Sequence, residues 1–425
     1  MAATTMQAQA TYISPTRKWV MGLLFLGAAL LIWWQFGSDM DPAAITKFGL
    51  TPGGMKATIP DLRVPAQLTV NLCALICAVL GVVQLVRPRG FGKYTNWILG
   101  LVAALVIFAW LTYMAAGKSL NLAGLMNTTL SKAVPLTLGA LAGILCERAG
   151  VVNIAIEGMM LMGAMVGALV GSLSGNLWVG LLAAVLASAV LGLVHGVLSI
   201  RYKTNQIISG TAINIFAVGL TSYISARFMQ TTQSLNNPGT FKAFPIPVLS
   251  EIPFFGPLLF DNNIFVYGMF FFLVVIHIGL FYTRWGLRMR SVGEHPRAAD
   301  TLGINVFRTR YISVLLGSMM AGFAGAYFTL GSVGRFDEVM TAGRGFISLA
   351  AMIFGNWMPF GAFGAGLLFG FTDSLASKLA ILGSKIPSQF LLMAPYVATM
   401  IVLAGVVGSS RPPAADGVPY EKEGD

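Results

Sequence analysis

The stretch that decides the fold is a polar island between two apolar runs: IFVYGMFFFLVVIHIGLFY (264–282), RWGLRMRSVGEHPRAADTLGINVFRTR (284–310) and YISVLLGSMMAGFAGAYFTLG (311–331). The island carries six arginines against two acids. Each of those charges would cost kilocalories in hydrocarbon, so the island lies in water at one face of a membrane that the flanking runs cross.

The rest of the chain repeats this pattern. Of its 425 residues 56% are hydrophobic and only 10% charged, against about 25% charged in a soluble domain. Mean hydropathy is +0.76. Apolar runs of about 20 residues, the length a helix needs to cross roughly 30 Å, recur throughout. The reading is an all-α polytopic transmembrane helical bundle of about 10–12 spans, some broken or re-entrant, with a short cytoplasmic coupling helix. Short basic loops at 87–93, 201–203 and 284–310 set the cytoplasmic side and place both termini there, in a cell (plasma or inner) membrane. The net charge of +11 is spread between apolar runs, which suits anionic lipid better than nucleic acid.

Residues 1–124 read as an N-terminal anchor region. A polar start is followed by Arg17, Lys18 and the uncleaved run Trp19–Phe36, then by spans at Ala66–Val86 and Trp97–Ala116. Lys118–Lys132 reads as an external connection. Gly117-Lys118-Ser119 resembles the tail of a phosphate-binding loop, but Thr112 stands where its first glycine belongs, and no strand precedes it. Cys73 and Cys77, one turn apart in an apolar run, and the lone Cys146 read as core packing; neither a metal site nor a disulfide framework is indicated.

The first unusual chemistry is AVPLTLGALAGILCERAGVVNIAIEGMMLMGAMVGALVGSLSG (133–175), a span interrupted by Glu147, Arg148 and Gly150 and resuming at Val151. A charge-broken span needs its freed backbone covered by protein or lining a wet cavity. Glu157 is placed inside the resumed helix, with Asn153 four residues earlier on the same face. An intramembrane carboxylate is a functional candidate; the plainer alternative is that Glu157 bonds a neighbouring helix end and holds the bundle together. Gly163, Gly167, Gly171 and Gly175 form a small-residue packing stripe.

His195, within the span Leu177–Ile200, reads as a satisfied core histidine. The next span, from Gln206 to Ala226, is unusually polar. Gln206 and Asn214 each share a face with Gly210 and either wall a solute pathway or bond adjacent helices. Five prolines mark Met229–Asn263 as a rigid-turned external loop. Residues 345–377 read as two short segments around a turn at Gly355–Pro359, and Gln389–Val407 as the last span. The two Gly-rich interrupted regions, 133–158 and 345–371, read as counterparts that would mark a central pathway.

Within the island, Pro296 suits the first position of a helix and Gly303 its end, predicting two turns over His295–Leu302. Ala298, Ala299 and Leu302 are expected on one face, Arg297 and Asp300 on the other. Such a helix fits a groove in a partner; the alternative is a solvated loop snorkelling its arginines to headgroups.

GLRMRSVGEHPRAADTLGINVFRTR, followed by GSMMAGFAGAYF, resembles the coupling loop of permease subunits of ATP-binding-cassette importers, in the branched-chain amino acid, simple sugar and nucleoside permease superfamily. CERAGVVNIAIEGMMLMGA looks like the corresponding segment of its nucleoside-type members. The resemblance covers roughly residues 125–408, the permease core being taken as 125–410 and the remainder, 411–425, as a cytoplasmic tail. It implies two permease subunits, as a homodimer or homologous heterodimer, two ATPase subunits and an extracytoplasmic solute-binding protein, moving nucleosides or simple sugars inward.

In that picture this chain binds no cofactor and catalyses nothing, the ATP being used by the partner ATPase. Gly293, Glu294, Pro296, Arg297, Ala298, Ala299 and Gly303 would seat in the ATPase, and Asn153, Glu157, Gln206 and Asn214 would line or gate the path. The rival is an ion-coupled secondary transporter with Glu157 as the titrating group.

Overall fold

The computed structural model describes residues 15–38, 40–53, 59–381, 393 and 411–422. Two compact units make up the chain, with the main boundary at Gly124–Leu125; among the described residues Leu379–Ile381 fall with the first unit. The expected last span, Gln389–Val407, and the first 14 residues lie outside the described residues.

The first unit holds α1 (Pro15–Leu31, prolonged by a π-helical turn to Gly37), α2 (Ala66–Val86) and α3 (Thr95–Met114). Phe25, Ile32, Val70, Cys73 and Cys77 pack between them. A three-stranded sheet, absent from the sequence reading, joins the loops: β1 (Ile45–Gly49) pairs antiparallel with β2 (Leu62–Pro65) and parallel with β3 (Ser119–Asn121). Strands this short show too little alternation to be seen by pattern.

The second unit is the helical core: α4 (Leu122–Glu147), α5 (Ile156–Ser174), α6 (Leu177–Gly196), α7 (Gln206–Ile224), the single turn α8 (Phe255–Leu259), α9 (Ile264–Tyr282), α10 (Arg284–Glu294), α11 (Pro296–Thr301), α12 (Val306–Ala326), α13 (Arg344–Phe354) and α14 (Pro359–Ile381). A two-stranded ribbon, β4 (Phe244–Pro245) with β5 (Asp261–Asn262), ties the proline-rich loop. Among the described residues nine helices are long and apolar enough to cross a membrane. Of these α4, α5 and α12 are mostly buried, while the others turn a face outward.

The glycine stripe explains how the buried helices meet. A Cβ on Gly163 would lie 2.9 Å from the carbonyl oxygen of Gly322 on α12, and one on Gly167 would lie 3.3 Å from the Cβ of Ala184 on α6. Gly175 does not belong to the stripe; it caps α5 in the left-handed conformation, at φ +63°.

Three boundaries differ from expectation. Residues 122–132 are helical, not a connection: Asn121 Oδ1 accepts from Gly124 N at 2.6 Å and starts α4, whose Lys132 is matched by Asp373 at 3.1 Å and Ser377 Oγ at 2.9 Å. The arginine-rich island is helical from Arg284, with Gly286 and Gly293 as close-packing points against α9 backbone and against the Arg148 carbonyl. α12 starts at Val306, capped by Asn305 on Arg308 N at 2.8 Å, so Arg310 lies inside a helix with 1% of its surface exposed.

Candidate functional site

The site grows from the break between α4 and α5. Helical pairing stops at Glu147, and the chain runs non-helically from Arg148 to Ala155. Gly150 makes the turn at φ +82°, where a Cβ would stand 2.9 Å from both Ala415 O and Arg310 Nη2, so only glycine fits. Freed backbone groups must find other partners, since orphaned buried amides are costly.

They find them on α6 and α7. Gln206 Oε1 accepts from Val152 N at 2.7 Å, and His195 Nε2 lies 3.0 Å from Val152 O while its Nδ1 meets Ser209 Oγ at 3.0 Å. Asn214 does two jobs: its Oδ1 accepts from Gly158 N at 2.8 Å and its Nδ2 donates to Ile154 O at 2.9 Å. Gly210, between them on α7, lets the break approach to 3.0 Å of its would-be Cβ.

Asn153 lies in the break and not on the α5 face, because the helix resumes at Ile156 and not at Val151. Its Oδ1 accepts from Ala155 N at 3.1 Å, a local Asx turn, and its Nδ2 meets Cys146 Sγ at 3.4 Å.

Glu157 falls in the first turn of α5, 6% exposed. Its Oε1 accepts from Thr341 Oγ1 at 2.6 Å and Gly343 N at 2.8 Å, and its Oε2 from Gly345 N at 2.6 Å. Those amides are the orphan donors at the start of α13, so the carboxylate caps a neighbouring helix. The other end of α13 is held as well. In the turn that follows, Trp357 Nε1 donates to Glu147 Oε2 at 2.6 Å, and Arg148 Nε donates to Trp357 O at 3.1 Å. Asn356 and Trp357 both adopt positive φ, 53° and 54°, a strained pair for side chains of this size. The two interrupted regions are therefore bonded to each other at both ends of α13.

The structure brings Asn153, Glu157, Gln206 and Asn214 together around one break and sets each on backbone. Gln206 Nε2 remains buried with no hydrogen-bond partner among the described residues. Glu147, Trp357 and Thr341 share this work although the sequence reading gave them no role; a charge at a span break and an aromatic in a tight turn were the visible signals.

Below the break lie α10 and α11. Thr283 caps α10, its Oγ1 accepting from Gly286 N at 3.1 Å, and Pro296 opens α11 as expected. Gly293 packs on the Arg148 carbonyl, and Gly303 turns the chain at φ +79°. The faces differ from expectation. Ala299 is 2% exposed and points inward with Val292 and Val306, whereas Leu302 is 81% exposed and Arg297 and Ala298 are exposed too. Ala298 and Leu302 are four apart, but Ala299 is rotated about 100° from Ala298.

Residues 125–407 match the family described as branched-chain amino acid transport system / permease component. The chain belongs to that family. The permease is 40% identical over 307 residues to the guanosine ABC transporter permease protein NupQ of Bacillus subtilis, spanning 70% of this chain and 96% of that one. It is 39% identical over 302 residues to the nucleoside ABC transporter permease protein NupC of Lactococcus lactis, covering 68% and 93% respectively. The putative glucose ABC transporter permease protein TsgC13 of Haloferax volcanii is 35% identical over 257 residues, 60% of this chain and 77% of that one. No solved structure matches the permease. It is a multi-pass membrane protein and the transport component of an ABC importer, not a catalytic subunit.

Proposed function

We propose that this permease forms half of the membrane pathway of an ATP-driven importer for nucleosides, with simple sugars as the second substrate class. The support for nucleosides is the likeness to NupQ and NupC, both named for nucleoside transport, together with the segment at residues 146–164. A second permease subunit, identical or homologous, completes the pathway, an extracytoplasmic binding protein delivers the solute, and a separate ATPase uses the ATP. The arginine-rich end faces the cytoplasm, as its short basic loops require.

The observation that carries the coupling role is the posture of α11. Ala299 anchors it while Leu302, an apolar side chain 81% exposed, stands out beside Ala298 and Arg297. A rigid short helix with an apolar tip is shaped to enter a groove. Asn153, Gln206 and Asn214 hold the broken helix, and Glu157 holds α13, so these four residues act on the path by fixing the elements that gate it. Both oxygens of Glu157 are taken up in holding α13, which supports a bracing role over the ion-coupled alternative.

Reconstituted vesicles test this. Uptake should require ATP and the ATPase, and Glu294→Ala with Arg297→Ala should abolish it while the chain stays folded. Uptake driven by an ion gradient alone, or ATPase co-purification and uptake that both survive the double change, overturns the reading.

A further inference from the structure

Residues 411–422 follow the membrane core in sequence, yet they are stitched to the turn after α13, to the α10–α11 junction and to α12. Arg411 N donates to Asn356 Oδ1 at 3.1 Å, in the turn after α13. Ala414 N donates to Glu294 Oε2 at 3.1 Å and Ala415 N to Gly293 O at 2.9 Å, both at the junction of α10 and α11. Tyr420 packs against Phe307 with ring centroids 5.3 Å apart and the rings tilted, and closes a small core with Val292, Ala299 and Val306. Glu421 pairs with Lys203 at 2.9 Å, beyond the end of α6.

The centre of this segment is chemically the most demanding. Arg310 is 1% exposed, and a buried guanidinium is tolerated only where charge and hydrogen bonds compensate it. Its Nη1 donates to Val418 O at 2.9 Å, its Nε and Nη2 find no hydrogen-bond partner among the described residues, and Asp416 is the acid whose charge acts on it. Asp416, whose Oδ1 is itself buried without a hydrogen-bond partner among the described residues, also lies beside the carboxyl of Glu147, the last residue of α4. Two residues along the chain, from Ala414 to Asp416, thus lead from the docking helices to the break.

We propose that the tail is a coupling strap and Asp416 a positioning residue in it: the strap fixes α11 to Glu147, Arg310 and the 355–358 turn, so that displacement of α11 is delivered to both broken regions. The inference rests on the reading that α11 meets an ATPase. Without the strap, α11 would act on the core through the packing of Ala299 on Val292 and Val306 and of Gly293 on the Arg148 carbonyl alone. With it, the docking element and the gate move as one body.

The test is uptake per ATP hydrolysed in proteoliposomes holding the full complex of permeases, ATPase and binding protein. Asp416→Ala should lower that ratio at least about fivefold, the lower end of an ordinary coupling free energy, while the ATPase subunit still co-purifies. Asp416→Asn, which keeps the side chain's size but not the charge facing Arg310, should recover only part of it. Ala414→Pro provides a second variant at an exposed position; it removes the N–H that binds Glu294, leaves the buried pair intact, and should uncouple in the same direction. An unchanged ratio in both Asp416→Ala and Ala414→Pro overturns the proposal. Loss of the ATPase subunit from the variant complexes overturns it too, making the tail a docking surface and not a strap. Absence of ATP-driven uptake by the unmodified complex instead overturns the importer reading beneath it.

Discussion

Glu147 and Trp357 stand 210 residues apart in the chain and are joined by a 2.6 Å hydrogen bond from indole to carboxylate. With Glu157 at the far end of α13, this bond makes the two interrupted regions of the core a single braced unit. Removing the indole donor with Trp357→Phe keeps the ring but leaves Glu147 short of a partner. We expect a loss of about 1–3 kcal/mol of stability, read as a lower melting temperature in detergent. A variant as stable as the parent would show that the brace contributes nothing.

Glu157→Gln should be more damaging than Thr341→Val. The amide has one acceptor oxygen for three donors, and its NH2 is forced against Gly343 or Gly345 N–H. The valine removes only the hydroxyl, worth about 1 kcal/mol. Amide exchange over 343–348 reads the difference directly. Fast exchange there in Glu157→Gln, with little change in Thr341→Val, is the expected outcome.

Asn214→Leu leaves Gly158 N and Ile154 O without partners, at about 1–3 kcal/mol for each buried group. If Asn214 serves the break, melting temperature and maximal uptake fall together while the apparent KM for solute holds. A raised KM in a chain of unchanged stability would instead place the side chain against the solute.

The tail should hold better in acid. Burial pushes the Asp416 carboxyl up to about 6, from an ordinary value of about 3.9, with Glu147 and Arg310 as its charged neighbours. A carboxyl raised on folding binds its proton more tightly in the packed state. Its stabilising contribution is therefore complete below the ordinary value and is lost as pH rises through about 6. A spin label at Val418→Cys, where the side chain is 52% exposed, should grow more mobile between pH 5 and pH 7.5, and the same label in an Asp416→Asn chain should not respond.

Much of this was legible in the sequence, and for physical reasons. Hydrocarbon tolerates so few charges that spans, the break at Glu147 and the start of α11 at Pro296 announce themselves one residue at a time. The roles within the break were less visible. Asn153 and Glu157 read as one helical face because periodicity assumes the helix resumes at once, whereas eight residues from Arg148 to Ala155 intervene before it does. Leu302 was placed with Ala299 by the same counting, which a helix as short as α11 does not sustain. Gly286 and Gly293 are points of close packing that no local pattern marks. Arg310 looked solvated because its compensating groups, Val418 O and Asp416, lie more than a hundred residues further on, and no local pattern encodes them.

The brace also sets an order of assembly. A ribosome adding roughly 5–20 residues per second delivers Trp357 some tens of seconds after Glu147, and the tail later still. For the first part of that interval, until α10 is made, the break has only α6 and α7 to cover it. The core therefore cannot close one hairpin at a time: an early stop anywhere before Trp357 leaves a chain with enough spans to remain in the bilayer but with α4 ending on an unmatched buried carboxyl. Such chains would be inserted but incomplete.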